Sequence, residues 1–429
     1  MLFRPLKIFS LYIIITLLIS FFGPSNYVNY NKIIVAIYIF FFLMLFGLGY
    51  FLGISKIENK KKKFVNFFHH EKLIQFTKFI ILFALILQVI DIFFRVMNTG
   101  FSFSSIGESY LDTYSNFERN EGNSYSFIEL LRFGKGIIDF FAVTLGVYYF
   151  RELGYRWRML VIIIVILIVF SSLVLVGKQK QLGDVLIIIS SVILIKFKSY
   201  KFLNIKKISA LLLLIFIASF LFIFMQKSRY DAIGINALNY NSLSQSQVAL
   251  NLDHFIFDFF GFDWGFPISM LLSGYMSGGY YGLSLSLQLP FVWTYGLGSS
   301  YVGAVLGERV LNLPYFFEEG YAFRMEEAFG WPALSKWHTI FPWLASDFTF
   351  PGALIVMAVI AYIYAVSWIE AKKYANPLSV LMFCLINIML VFVPANNQIF
   401  MGIEQFFLAL IFIPIWLNRH RIFKYKCNV

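Results

Sequence analysis

Lys178 and Lys180 stand in a five-residue polar hairpin, Gly177-Lys178-Gln179-Lys180-Gln181, between two strongly apolar stretches. Lys227 and Arg229 directly follow another such stretch, in Met225-Gln226-Lys227-Ser228-Arg229-Tyr230. Cations at the edge of a hydrocarbon layer suit a phosphate or diphosphate, and the planar fork of arginine can donate two parallel hydrogen bonds to one. Lysines in this position equally suit a plainer role, anchoring the hairpin to lipid headgroups with their stems in the apolar layer. Arg309 and Arg324 are further candidates for holding the same anion. A second constellation is Trp337-His338-Thr339-Ile340-Phe341-Pro342-Trp343-Leu344-Ala345-Ser346-Asp347-Phe348. Histidine, with an unperturbed pKa near about 6.5, can take a proton from a hydroxyl or orient it. Asp347 fixes the His338 tautomer only if the chain breaks near Pro342, because nine helical residues span about 13 Å. Tyr275, Tyr280, Trp293 and Trp337 offer flat rings that can stack on sugar faces; as residues of a membrane interface they would form an aromatic belt instead.

The elements that must position these groups are membrane helices. Of 429 residues, 59% are apolar and 14% charged, against about 45–50% and about 25% in soluble domains. That excludes an ordinary cytosolic enzyme. An all-α polytopic membrane protein is expected, with about ten spanning helices at 8–22, 33–53, 76–97, 127–150, 159–176, 182–197, 208–226, 350–368, 377–394 and 401–418. The first is read as a retained helix, since Gly23-Pro24-Ser25 offers no small-residue cleavage pattern. With this count, most of the Lys and Arg fall on one side, in Arg4/Lys7, Lys60 to Lys63, Arg151 to Arg158, Lys196 to Lys207, Lys372/Lys373 and the tail from Arg419. The positive-inside bias makes that side cytoplasmic, with both termini on it. The net charge of +12 is thus spent on orientation, and a nucleic-acid partner is not expected. Cys384 and Cys427 can build neither a disulfide framework nor a cysteine metal site.

Three regions follow: a seven-helix membrane region 1–226, a large outward loop 227–349 built of short helices and carrying the candidate site, and a three-helix region with a basic tail, 350–429. Within the loop, 266–306 is apolar and glycine-rich, and its Gly, Pro and Gly-Leu-Gly punctuation favours surface-lying or re-entrant helices. Charges inside the spans cluster at their outward ends: Asp91 and Arg95; Glu129, Arg132, Lys135 and Asp139; Asp184; Glu404. Spacings of three or four residues put several on common helix faces, either as structural ion pairs or as the lining of a cavity open outward. A transporter would instead place its binding groups near mid-bilayer, in repeated halves. An outward surface site suits a substrate anchored there by a lipid tail.

From residue 177 onward the chain resembles bacterial O-antigen polymerases, the oligosaccharide repeat-unit (Wzy-type) polymerases, and more distantly the O-antigen ligases. The resemblance rests on the basic hairpin, on Arg229 after a span at the start of the large loop, on the run Gly274-Tyr275-Met276-Ser277-Gly278-Gly279-Tyr280-Tyr281-Gly282-Leu283-Ser284, and on His338 with an acid, Asp347, nine positions on. The chain departs from the ligases in having Lys178 and Lys180 where they tend to have Arg, and Asp347 where they tend to have Glu. The resemblance implies an inverting glycosyltransferase of the bacterial cytoplasmic membrane, acting on its outer side on a polyprenyl-diphosphate-linked oligosaccharide. His338, Arg229 and Asp347 would be its catalytic residues. Membrane lipids, a chain-length regulator and a flippase are the implied partners, and neither cofactor nor metal is implied. A ligase, a lipid-linked oligosaccharide flippase and a non-catalytic envelope scaffold are the rival expectations. The chemistry needs no nucleotide, because such a donor already carries an activated anomeric carbon.

Overall fold

In the computed structural model the described residues are 2–58, 70–99, 127–196, 205–243, 247–312 and 318–419. They are overwhelmingly helical. The one strand pair among them joins Ser25–Tyr27 to Val248–Leu250, antiparallel. Six helical stretches among the described residues are long and apolar enough to cross a membrane: Arg4–Phe22, Lys32–Ile57, His70–Met97, Tyr155–Leu175, Phe255–Met276 and Ile340–Tyr374. The chain is therefore a helical membrane protein.

Each of the ten expected spans coincides with a helix, but not all are of spanning length. Pro377–Val391 and Ile403–Leu417 have 15 residues each and Lys180–Lys196 has 17, and at about 1.5 Å per residue they fall short of about 30 Å of hydrocarbon. Phe255–Met276, by contrast, lies in the segment expected to be an outward loop, and it bends at Gly261, whose φ is 67°. The expected boundaries at 226/227 and 349/350 both fall inside helices, Ile205–Ala232 and Ile340–Tyr374. The chain instead forms two compact units, one of Met1–Val65, Asn241–Phe259 and Ser269–Val429, the other of Asn66–Tyr240 and Phe260–Ile268.

In the first unit, the 35-residue helix Ile340–Tyr374 packs along Lys32–Glu58. Gly49 and Gly53, one turn apart, permit this: a Cβ on Gly53 would lie 2.6 Å from the Tyr362 carbonyl oxygen and 2.8 Å from Ala365 Cβ, and one on Gly49 would strike the Ala358 backbone. Small residues spaced by four let helix backbones touch. The long helix tolerates Pro342 in its first turn, where a proline costs no hydrogen bond, and breaks at Thr349 (φ 64°, ψ 166°), where Pro351 lacks an N–H and crowds the carbonyl four residues back. The break thus falls after Asp347.

At the far end of that helix, Arg419 donates to both Glu370 oxygens, at 2.6 and 2.8 Å, and its guanidinium lies 3.7 Å from the centre of the Trp416 ring. Ser379 Oγ donates to Glu370 at 2.6 Å and accepts from Trp416 Nε1. Both charges are buried. Glu370→Gln leaves a guanidinium without its counter-charge and is expected to cost about 3–5 kcal/mol, whereas the double change to Glu370→Met with Arg419→Met restores most of it. Thermal unfolding of the purified variants in one detergent checks the order; equal losses in single and double variants would contradict it.

In the second unit, Asp91 on His70–Thr99 is buried and gathers Arg95 and Arg132 at 3.0 Å and Lys135 at 3.3 Å, with Lys135 also 3.4 Å from Asp139. Asp139 accepts from Gln88 at 2.6 Å. Of the expected helix-face pairs, Asp91/Arg95 and Lys135/Asp139 form; Arg132 turns to Asp91 on the neighbouring helix. These charges serve to join the helices His70–Thr99 and Phe127–Tyr148. The side chain of Glu129 lies outside the described residues.

Candidate functional site

The basic hairpin belongs to the second unit. The helix Tyr155–Phe170 ends in a π-helical turn, Ser171–Leu175, which feeds the chain into the hairpin at Gly177 (φ 66°). Such wide turns often mark functional positions, because they release backbone groups from the regular ladder. Ser172 holds the hairpin: its carbonyl accepts from Lys178 N at 2.9 Å, and its Oγ lies 2.5 Å from the Lys178 carbonyl and 2.6 Å from Gln181 Oε1. Gln179 is buried, donates to the Phe222 carbonyl at 3.0 Å and accepts from Gln226 at 2.9 Å. This fastens the hairpin to the helix Ile205–Ala232. One turn beyond Gln226, Arg229 donates from its guanidinium to the Gly177 carbonyl.

Of the two cations that follow the span, Arg229 is thus brought to the hairpin. Arg229 is half-buried, Lys178 exposed and Lys180 half-buried at the first turn of Lys180–Lys196, with no ion pair to Lys180 among the described residues. Lys227 lies 3.5 Å from Asp231 and 6.0 Å from the Trp264 ring centre. Cations and backbone N–H groups at one helix end form a fitting receptor for an anion. Ser172, Gln179 and Gln226 were not singled out from the sequence. Their signal is the amide placed between two lysines, a polar group that must find an internal partner if the hairpin folds back.

His338 belongs to the first unit, and its surroundings correct the expectation that it meets an acceptor hydroxyl. The ring is fully buried. Nε2 sits 3.0 Å from the Ala333 carbonyl and 3.1 Å from that of Pro332, so Nε2 carries the proton and donates it to the backbone. Nδ1, left as the lone-pair nitrogen, has no hydrogen-bond partner, and a Cβ on Gly282 would lie 3.2 Å from it. Burial pushes the imidazole pKa down to about 4. His338 as observed pins the turn 331–339.

That depressed pKa has a consequence for stability. The unfolded chain takes up the proton near pH 6.5 and the folded chain only near pH 4, so the neutral ring's contribution is complete above pH 6.5 and is lost as pH falls toward 4. The slope is about 1.4 kcal/mol per pH unit in that window. Unfolding of wild type and His338→Gln between pH 7 and 4 is expected to show this slope only in wild type; parallel curves would contradict it.

The glycine-tyrosine run explains how the turn is seated. Gly278–Ser286 is a helix buried along its whole length, not a surface-lying one. A Cβ on Gly279 would strike the Pro394 carbonyl and lie 2.6 Å from Thr339 N, and one on Gly282 would lie 2.8 Å from the Trp337 carbonyl oxygen. His338 N and Thr339 N both donate to the Ala395 carbonyl, at 3.0 and 2.9 Å. The run is thus a close-packed backbone cradle for 337–339. Tyr280 is correspondingly unavailable to a sugar: it is fully buried and its hydroxyl lies 2.9 Å from Thr16 Oγ1. Tyr281 stacks on Tyr27 at 4.7 Å.

Asp347 is not the partner of His338. Its oxygens accept from Thr294 Oγ1 at 2.5 Å, Gly296 N at 2.8 Å, Ser299 N at 2.6 Å and Ser299 Oγ at 2.5 Å. Four donors leave the carboxylate little capacity for catalysis, and its role is to shape the loop 290–300. That loop presents Trp293 and Tyr295 outward, 52% and 58% exposed, with ring centres 4.7 Å apart. Tyr275 and Trp337, both half-buried, face each other at 5.7 Å. Arg324 is also committed, donating to the Pro290 carbonyl at 2.9 Å and lying 3.9 Å from Glu319, so it is a brace for the loop more than a free anion receptor. Arg309 lies on the helix Tyr301–Leu311, with its side chain outside the described residues.

No family model, curated protein or solved structure matches this chain. What the two units can do chemically therefore rests on their own residues: clustered cations for an anion in the second, and, in the first, partly exposed rings on the loop 290–300, on the turn 331–339 and on the helical stretch Met270–Met276. Lys336, in the turn that His338 pins, was not noticed from the sequence, where it reads as an ordinary polar residue of a loop.

Proposed function

We propose that this protein transfers oligosaccharide from a polyprenyl-diphosphate carrier at the outer surface of a bacterial cytoplasmic membrane, joining repeat units into a surface polysaccharide. The observation that carries the reading is the convergence of Arg229 on the hairpin bearing Lys178 and Lys180. In this reading both chain termini are cytoplasmic and the hairpin faces outward, at the level of the carrier's headgroup. The acceptor hydroxyl oxygen attacks the anomeric carbon from the face opposite the diphosphate, the carbon–oxygen bond to the phosphate breaks with inversion, and the leaving diphosphate takes the electron pair. Lys178, Lys180 and Arg229 stabilise that growing charge, the kind of preorganised electrostatic contribution that dominates many transfer reactions. Within the first unit, Trp293 with Tyr295 and Tyr275 with Trp337 are candidate ring faces for a glycan. His338 holds the turn that carries Trp337 and Asp347 the loop that carries Trp293 and Tyr295, and water or a phosphate oxygen takes the acceptor proton. The long, lipid-borne donor is the expected substrate; a flippase that delivers it and a chain-length regulator are the expected partners.

The test is a purified protein supplied with polyprenyl-diphosphate repeat units, without nucleotide or added metal. A ladder of products spaced by one repeat supports polymerisation. A single addition to a separate acceptor supports a ligase, and movement of the donor across vesicles without any new glycosidic bond supports a flippase; either result replaces the proposal.

A further inference from the structure

At the end of the second unit away from the hairpin, the turn 149–154 joins Phe127–Tyr148 to the start of Tyr155–Phe170, and Lys180–Lys196 ends beside it. The turn is fixed by its own backbone and by Arg158. Glu152 N and Leu153 N both donate to the Tyr149 carbonyl, at 2.8 and 3.0 Å. Arg158 donates from Nε to the Leu153 carbonyl at 2.7 Å and from Nη2 to the Arg151 carbonyl at 2.6 Å. Glu152, the one acid of the turn, is engaged by two cations, lying 2.9 Å from His70 Nε2 and 3.6 Å from Lys196 Nζ. Lys78, on the helix His70–Thr99, lies 5.7 Å from the centre of the Trp157 ring. In 70–78, 149–158 and Lys196, six cations stand against two acids, Glu71 and Glu152, so this end of the unit carries a surplus of positive charge. Arg151 and Arg156 are the exposed part of it, and neither side chain makes a hydrogen bond or ion pair among the described residues. Arg156 also stands in the first turn of its helix, where the helix dipole disfavours a cation and no acid offsets it. The rings beside it, Tyr155, 76% exposed, and the half-buried Trp157, are of the kind that settles at a membrane–water boundary. Beyond Arg156 on the same helix face, at spacings of three, seven and ten residues, come Met159, Ile163 and Ile166, all exposed.

We propose that the start of the helix Tyr155–Phe170 is a saturable site for an anionic phospholipid, with its phosphate on Arg156 and Arg151 and its acyl chains along Met159, Ile163 and Ile166. Cationic head and apolar stripe follow one another on a single helix face, in the order in which a phospholipid presents phosphate and chain. A free phosphate would use the arginines and leave the stripe unexplained. Basic pockets at the ends of membrane helices suit anionic headgroups, and the arginine fork adds directional hydrogen bonds to a phosphate. The site differs from a diffuse surplus of basic residues because its backbone is fixed: Arg158 is committed to two carbonyls of the turn, and Glu152 ties His70 and Lys196 to it. Arg151 and Arg156 are therefore presented from a rigid turn and helix start. The proposal does not depend on the transferase reading, since it concerns the end of the unit away from the hairpin.

The test is native mass spectrometry of the delipidated full-length protein in detergent, titrated with phosphatidylglycerol and with phosphatidylcholine of the same acyl chains. Wild type is expected to bind phosphatidylglycerol saturably and about fivefold or more tighter than phosphatidylcholine, the worth of one cation at a headgroup layer. Arg156→Gln is expected to remove most of that preference, Arg151→Gln to lower it, and Arg156→Lys to retain part of it. The double variant Lys372→Gln with Lys373→Gln, which removes more charge from another basic segment, is expected to leave the preference intact. Equal affinities for the two lipids in wild type, a preference untouched by both arginine substitutions, or an equal fall in the lysine variant overturns the site. Displacement of the lipid by inorganic phosphate at matched concentration marks a small-anion site and overturns it as well. Should Arg156→Gln fail to fold, Arg151→Gln measured beside the lysine variant decides in the same way.

Discussion

Gly279→Ala is expected to cost about 1–3 kcal/mol, the range for forcing an atom into a filled interior, while Gly274→Ala in the same run is expected to be close to neutral. The difference lies in what each Cβ would meet. At Gly279 it meets the Pro394 carbonyl and Thr339 N, both backbone atoms that cannot rotate away; at Gly274 it meets nothing within 4 Å. The damage at Gly279 also spreads, because the atoms displaced belong to the two segments that the Ala395 carbonyl ties together through His338 N and Thr339 N. Melting temperatures of the two variants in the same detergent check this. A Gly279→Ala protein as stable as wild type, or a Gly274→Ala protein equally damaged, would contradict the cradle.

Arg229→Ala is expected to lower the rate of transfer from a lipid diphosphate by about 10²–10³, the size of effect seen when one preorganised stabiliser of developing charge is removed. Two contributions combine. One is the cation itself; the other is its bond to the Gly177 carbonyl, which fixes the hairpin that carries Lys178 and Lys180. Arg229→Lys keeps the charge and loses the planar fork, so it is expected to recover only part of the rate. If Arg229 acts on the leaving group, the turnover number falls more than the apparent affinity for donor, since the interaction strengthens as the bond to phosphate breaks. A residue that only shapes the hairpin would leave the lysine rescue no better than alanine, and ladder formation with the three proteins distinguishes the two.

The sequence made the helical membrane character legible through long apolar runs, and it made the hairpin legible because lysines between two such runs require an explanation. Arg229 was legible for the same reason, as a cation directly after a span. What was not legible depended on contacts between distant segments. Asp347 reads as a partner for His338 only if the chain is followed locally; its actual donors, Thr294, Gly296 and Ser299, lie about fifty residues earlier. Tyr280 reads as a sugar-stacking ring from its neighbours, yet its place is set by Thr16 in the first helix. The Gly49-x-x-x-Gly53 spacing was present in the sequence as a packing signal, and its partner helix Ile340–Tyr374 could not be read from it. Helix lengths were misjudged where apolar composition continued past the helix end, as at the 15-residue Pro377–Val391, which stops before the equally apolar Phe392 and Val393.

The central claim is that the cations of the hairpin and of Arg229 hold a diphosphate borne by a lipid. Its most direct test is equilibrium binding of undecaprenyl diphosphate and of uncharged undecaprenol to the purified protein in phosphatidylcholine nanodiscs, using wild type, Arg229→Ala, and the double variant Lys178→Gln with Lys180→Gln, which leaves the Gly177 bond intact. Saturable binding of the diphosphate alone, weakened in both variants, is the predicted result. Undecaprenol bound as tightly as the diphosphate, or a diphosphate affinity untouched by all three substitutions, would contradict the account.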